Sequence, residues 1–408
     1  MFRPQPLGIF PFPTGSFILP DCSEAAGFAQ FLLQGKIPPE TPDRLRFYSL
    51  ALTGDFQGAF ELLEQDVSIE GQFNHFVLQP TAELYARLKR TLPVEFLPLL
   101  DDVAYSTGLI SMPLNAPQLD GELLGFSYLI QATSQIEAGD IGAASSLLTF
   151  GINEAESVSP VLAAQLRNSL AEMKLQIEGP TDEVLQLYIQ ALSVFEKTDL
   201  AEAQAGVHLN LGICLQDRSQ GNRAVLVEAI KHYQSALRFF TFDAFPEAFA
   251  LAQNNLALAY LAMPMQEASD QLRMGVAIQA LREVLKVYTR ATHPERWASA
   301  QLNLANALQY LPSTHTQENL IEAVNLYEEI VSVRRAETDP LGFARLLANQ
   351  GNCLAHLGIF DHASQKLQAA RDLFATNGEP ESAATVSELL AEIDAHQPSS
   401  VKVEATVG

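Results

Sequence analysis

Four asparagines recur at Asn210, Asn255, Asn303 and Asn349, spaced 45, 48 and 46 residues apart. His208, Gln253 and Gln301 stand two residues before the first three, and Arg345 stands four before the last. An amide side chain carries both donors and an acceptor, so a ladder of amides can grip the backbone of an extended or helical segment. The same amides can instead bond to the neighbouring repeat's backbone and fix how repeats stack. Both roles stay open, and the two are compatible.

Other chemistry is sparse. Cys214 and Cys353 each follow a ladder asparagine by four residues, where the other copies have Ala259 and Ala307, which marks a small buried packing position. Cys353-x-x-His356 could place two metal ligands on one helix face, but no further Cys or His cluster accompanies it. Asp101-Asp102 and Glu328-Glu329 read as solvated acidic pairs. The eight histidines form no His-Glu-x-x-His, and the chain carries no nucleophile elbow, phosphate-binding loop or dinucleotide fingerprint. No catalytic residue, metal or cofactor is expected, and the chain reads as a non-enzyme.

The elements that carry the ladder are repeats. Pro246, Pro294 and Pro340 each lie nine residues before an asparagine, and Phe249-Ala250, Trp297-Ala298 and Phe343-Ala344 follow three residues later. Proline is tolerated in the first helical turn, so each marks a helix start. Small residues at Gly212, Ala257, Ala305 and Gly351 admit a closely packed partner. That partner is a second, amphipathic helix: Ala229, Ile230, Tyr233, Ala236 and Leu237 hold one face, and Ala323, Val324, Tyr327, Ile330 and Val331 repeat it. A hairpin of this kind cannot bury its apolar face alone, so the units must stack.

The pattern Asn-Leu-Gly/Ala-x-x-Tyr/Leu followed by Ala-x-x-x-Tyr/Leu resembles the tetratricopeptide repeat (TPR), in a long-period variety found in bacterial multi-repeat proteins. The resemblance is strong over about residues 200–375. Upstream, Gly54-Asp-Phe-Gln-Gly-Ala59 and Gly139-Asp-Ile-Gly-Ala-Ala144 carry the turn between TPR helices. It implies an all-α, right-handed solenoid of antiparallel hairpins whose first helices line a concave groove. Within that groove the candidate partner-binding residues are Asn210, Asn255, Asn303, Asn349, His208, Gln253, Gln301 and Arg345. TPR clamps for a peptide carboxylate also need Lys or Arg beside the asparagine; Arg345 is the nearest helix cation, so such a clamp is not expected. Tyr233, Tyr260, Tyr288 and Tyr327 belong to the core more than to a contact surface. Polar loops are expected at 217–223, 264–270 and 312–317, on one edge.

The boundaries read as a Pro/aromatic-rich extension (1–36), a degenerate TPR-like helical block (37–115), degenerate repeats (121–200), the clear repeats (201–378), a capping helix (379–395) and a disordered tail (396–408). Residues 110–121, with Pro113, Pro117 and Gly121, read as an irregular crossing. The extension interleaves Phe2, Phe10, Phe12 and Phe17 with Pro4, Pro6, Pro11, Pro13 and Pro20. Such a segment stays extended and is poor solvent-facing material. It either packs on its own chain, where it could plug the groove, or docks into a partner.

Composition sets the remaining bounds. The 408 residues carry 25 Lys plus Arg against 48 Asp plus Glu, a net charge of −23. That balance disfavours nucleic acid and anionic membranes and favours a partner with a basic or amphipathic segment. Three cysteines make no disulfide framework, and prolines break the apolar N-terminus as a signal peptide. A cytoplasmic protein is expected. The expected function is a protein–protein interaction scaffold or assembly factor, with a ligand- or peptide-sensing regulatory module as the alternative, and with self-association possible through apolar solenoid ends.

Overall fold

The computed structural model describes residues 2–10, 17–112, 119–265 and 270–396. Phe12, Pro11, Pro13, Pro113, Pro117 and the tail from residue 397 lie outside them. The described residues are all-α, with no strand, and divide into two compact units, 1–218 and 219–408.

The first unit begins with six short helices: α1 (Ala25–Leu33), α2 (Arg46–Leu52), α3 (Phe56–Glu64), α4 (Ile69–Leu78), α5 (Ala82–Thr91) and α6 (Leu97–Ser106). Longer ones follow: α7 (Gly121–Glu137), α8 (Ile141–Ala155), α9 (Pro160–Glu178), α10 (Asp182–Phe195) and α11 (Ala201–Arg218). From α2 onward each helix packs on the next, α7 on α8 and α9 on α10 most extensively. The Gly-Asp turns work as their sequence implies. Gly54 and Gly139 take φ of +83° and +79°, a region glycine enters without steric cost. The next residue caps the following helix: Asp55 accepts from the Gly58 amide at 2.8 Å and Asp140 from the Ala143 amide at 2.9 Å.

The N-terminal extension packs on this unit. Leu7, Phe10, Phe17, Ile18 and Leu19 are buried in its core. Phe10, Phe17, Phe28, Phe47 and Tyr48 form one aromatic cluster, with Phe10 and Phe17 edge-to-face at 5.3 Å. Polar anchors fix the path: Ser159 Oγ donates to the Leu7 carbonyl at 3.1 Å, and the Gln5 amide donates to Glu122 Oε1 at 2.9 Å. Arg3 pairs with Asp120 and with buried Glu122, both at 2.7 Å. At Gly8 (φ +88°) a Cβ would come within 2.7 Å of the Leu162 backbone, so the close approach to α9 requires glycine.

The second unit holds α12 (Arg223–Ala236), α13 (Pro246–Ala262), α14 (Asp270–Val287), α15 (Pro294–Gln309), α16 (Thr316–Val331), α17 (Pro340–His356), α18 (Phe360–Thr376) and α19 (Pro380–His396). Each helix packs on the next. Pro246, Pro294 and Pro340 open α13, α15 and α17, as the spacing implies. Ala277, Ala323 and Ala363 of the second helices are fully buried, and Ala257, Ala305 and Gly351 of the first are buried too. At Gly351 a Cβ would come within 3.1 Å of the Ala363 carbonyl. The second helices begin earlier than the small residues imply, at Asp270, Thr316 and Phe360. Trp297 is core, and α19 buries Ala383, Val386, Leu390 and Ile393 in the last apolar cluster. The loop expected at 217–223 is shorter, because α11 runs through Arg218 and α12 starts at Arg223.

Candidate functional site

The ladder asparagines divide into two kinds. In the first unit, Asn210 on α11 donates from Nδ2 to Asn168 Oδ1 at 3.3 Å and to Glu172 Oε1, both on α9. Burial pushes the Glu172 carboxyl up, against the hydrogen bonds from Asn210 and Asn168. In the second unit, Asn349 on α17 donates to Asn306 Oδ1 on α15 at 2.9 Å. These two amides therefore join successive first helices, through side chains and not through backbone. Asn255 on α13 and Asn303 on α15 differ: both are half-buried, and neither side-chain amide has a hydrogen bond among the described residues.

The flanking candidates also separate. Gln301 is buried and donates to Glu329 Oε2 on α16 at 2.7 Å, so it ties the two helices of one hairpin. Gln253 is half-buried with a free amide, and Arg345 is exposed without an ion pair among the described residues. His208 lies half-buried on α11 in the first unit. Cys214 and Cys353 are fully buried, and burial pushes both thiols up to about 11. Cys353 Sγ donates to the Leu320 carbonyl at 3.4 Å, while His356 is exposed.

One acidic pair departs from expectation. Glu328 and Glu329 are exposed, but Asp101 and Asp102 are completely buried. Asp101 is held by Lys89 Nζ at 2.5 Å and by the Tyr85 hydroxyl at 2.7 Å. Neither oxygen of Asp102 has a hydrogen bond of normal geometry, and burial raises its pKa well above the carboxylate range, with the Asp101 charge adding to the shift. Two adjacent carboxylates look like a solvated face in sequence. Here α6 is buried at both positions.

A cavity of about 280 Å³ opens between the α13–α14 turn and α15. Its apolar wall includes Met263, Met265 and Met274. Its polar lining is Tyr260, Arg273, Asn306 and Tyr310. Arg273 is the residue that a search along the first helices misses, because it stands in the opening turns of a second helix. Of the polar loop expected at 264–270, residues 266–269 lie outside the described residues, Met265 is exposed, and Asp270 is buried as the first residue of α14. Tyr233, Tyr288 and Tyr327 are core, whereas Tyr260 reaches this cavity.

The helix pairs, their proline starts and their small-residue contacts all fall in the register of the sequence pattern. The hairpins follow the register of the TPR-like pattern that the sequence resembles. Several solved structures align with this chain at low identity. The apo form of RapI aligns at 12% identity over 86% of this chain and 96% of its own, with a TM-score of 0.46. A Rap protein complexed with competence and sporulation factor gives 14%, 86%, 96% and 0.42. The C-terminal part of a TPR protein from Cytophaga hutchinsonii gives 14%, 74%, 99% and 0.42. No family model and no curated protein matches the chain. No described helix is long and apolar enough to cross a membrane.

Proposed function

We propose that this chain is a non-catalytic interaction scaffold or assembly factor, whose TPR-type first helices receive a peptide or partner surface. The observation that carries this reading is the pair Asn255 and Asn303. They occupy the same register in successive hairpins, and their amides are left with donor and acceptor capacity where Asn210 and Asn349 are already engaged. Gln253 and Arg345 extend that set. A net charge of −23 favours a partner segment that is basic or amphipathic and binds less tightly as salt rises.

The test is Asn255→Ala combined with Asn303→Ala, with the full chain as bait at two salt concentrations. Weaker capture of the wild-type partner with unchanged helical circular dichroism supports the reading. Unchanged capture overturns the role of these amides. Loss of folding assigns them to repeat stacking instead.

A further inference from the structure

We propose that the first unit contains a binding site for an extended peptide, and that the chain's own N-terminal extension is a ligand occupying it in cis. The ligand class is an extended segment with a cationic residue near its start, followed by aromatic and branched aliphatic residues among prolines.

The extension lies in no helix and the described residues hold no strand, so its backbone has to be met by side chains. Asn74 on α4 meets both backbone groups of Ile18, at 2.9 and 2.8 Å. Glu122 on α7 accepts from the Gln5 backbone nitrogen at 2.9 Å, and Ser159 donates to the Leu7 carbonyl at 3.1 Å. All three side chains are buried, and every hydrogen bond they make among the described residues goes to the extension. Buried polar side chains are costly without partners, and these serve no helix backbone. They form a receptor for an extended chain, set into an apolar wall.

Two helix caps are diverted to the same end. Asp120 and Ser159 stand at the N-caps of α7 and α9, and neither side chain caps its helix. Both are residue types that cap well. Asp120 pairs instead with Arg3 at 2.7 Å, and Ser159 holds Leu7.

Charge and shape specify the ligand. The Glu122 side chain is 2% exposed and pairs with Arg3 Nε at 2.7 Å. Arg3 is the one cation that meets Asp120 or Glu122 among the described residues. A buried carboxylate without a counter-charge is costly, so a ligand here has to bring a cation. Phe47 and Tyr48 on α2 pack against the Phe17 ring at 6.2 and 6.0 Å, and Tyr48 packs against Phe10 at 5.2 Å. These rings make the aromatic socket.

The extension joins α1 through a link in which Asp21, Ser23 and Glu24 are exposed, so the chain can be cut there without opening the core. Tethering gives the cis ligand a high effective concentration, so a partner's segment of the same class enters only by displacing it. The site uses residues of the first unit, whereas Asn255 and Asn303 belong to the second. Failure of either proposal therefore leaves the other standing.

The experiment cuts the full chain at a protease site inserted after Ser23, then follows entry of a peptide of residues 1–20, labelled at its C-terminus, by fluorescence anisotropy. The cut chain should keep its helical circular dichroism and take up the labelled peptide saturably. The uncut chain should bind the peptide at least about tenfold more weakly, because the tethered copy competes. Peptides carrying Arg3→Gln or Phe17→Ala should each bind the cut chain at least about tenfold more weakly, and they leave the folding of the chain itself untouched. Loss of helical signal on cutting would make the extension an inseparable part of the fold and overturns the proposal. So does failure of the peptide to enter at any temperature below the unfolding midpoint. Equal binding to cut and uncut chains, or equal binding of the Arg3→Gln peptide, overturns it as well.

Discussion

Asn74 holds Ile18 by both ends of its amide: the Ile18 backbone nitrogen donates to Oδ1 at 2.9 Å, and Nδ2 donates to the Ile18 carbonyl at 2.8 Å. Both residues are fully buried. This is the amide-to-backbone grip that the asparagine ladder suggests for a partner, made here by a different asparagine on the chain's own N-terminal extension. Gln5 does the same work from the extension itself, accepting from the Leu19 amide at 2.6 Å.

Asn74→Ala would leave two buried backbone groups of Ile18 without partners, at about 1–3 kcal/mol each. Thermal unfolding should show the transition of the first unit lowered by roughly 5–10 °C. A midpoint unchanged within error would mean that the extension is not held at this point.

Asp102 makes stability depend on pH. Burial, the largest cause, raises its folded pKa above the ordinary 3.8, with the Asp101 charge adding; a hydrogen bond from Ser127 opposes the shift less strongly. The folded chain therefore keeps this proton where the unfolded chain loses it. The contribution is fully present below pH 3.8 and is lost as pH rises through the raised folded value. Asp102→Asn should remove that slope and gain about 1–3 kcal/mol near pH 8, with little gain near pH 4. Denaturant unfolding at the two pH values checks it; equal gains at both would sink the assignment.

Two glycines in helices should respond oppositely to alanine. At Gly351 a Cβ would lie 2.7 Å from Leu367 Cγ and 3.1 Å from the Ala363 carbonyl, so α17 and α18 would be forced apart at a cost of about 1–3 kcal/mol. Gly275 on α14 has open space around the same position, so alanine there should add close to ~1 kcal/mol through helix propensity alone. Paired denaturant melts decide it, and a stabilising Gly351→Ala would show that the α17–α18 contact is slack.

Cysteine labelling should be selective. The Cys214 and Cys353 thiols are buried and pushed up to about 11, while Cys22 is half-buried. Iodoacetamide at pH 8 should modify Cys22 alone in the folded chain and all three after unfolding, read by intact mass. Rapid labelling of Cys353 in the folded chain would contradict its packing against α16.

The repeat architecture was legible because its signals are local and recur. Proline fixes a helix start through its own ring and missing N–H, as at Pro246, Pro294 and Pro340. Gly139-Asp140 writes a turn and a cap into adjacent residues. Ala277, Ala323 and Ala363 mark a packing face by period alone. None of these needs knowledge of a distant partner.

What only the tertiary structure decided depends on residues far apart in the chain. Asp101 and Asp102 match an exposed pair in composition, and it is the packing of α6 that buries them. The Pro/Phe extension could equally have met a partner, until Asn74 on α4, Glu122 on α7 and Ser159 just before α9 were brought to it. Among four equivalent asparagines, Asn210 and Asn349 are engaged because Glu172 and Asn306 stand within reach, while Asn255 and Asn303 find no such neighbour. Arg273, on a second helix, is brought by packing against Asp270 and the carbonyls of Met263 and Pro264. Local propensity writes the helices into the sequence, and which side chains remain without a partner is settled by their assembly.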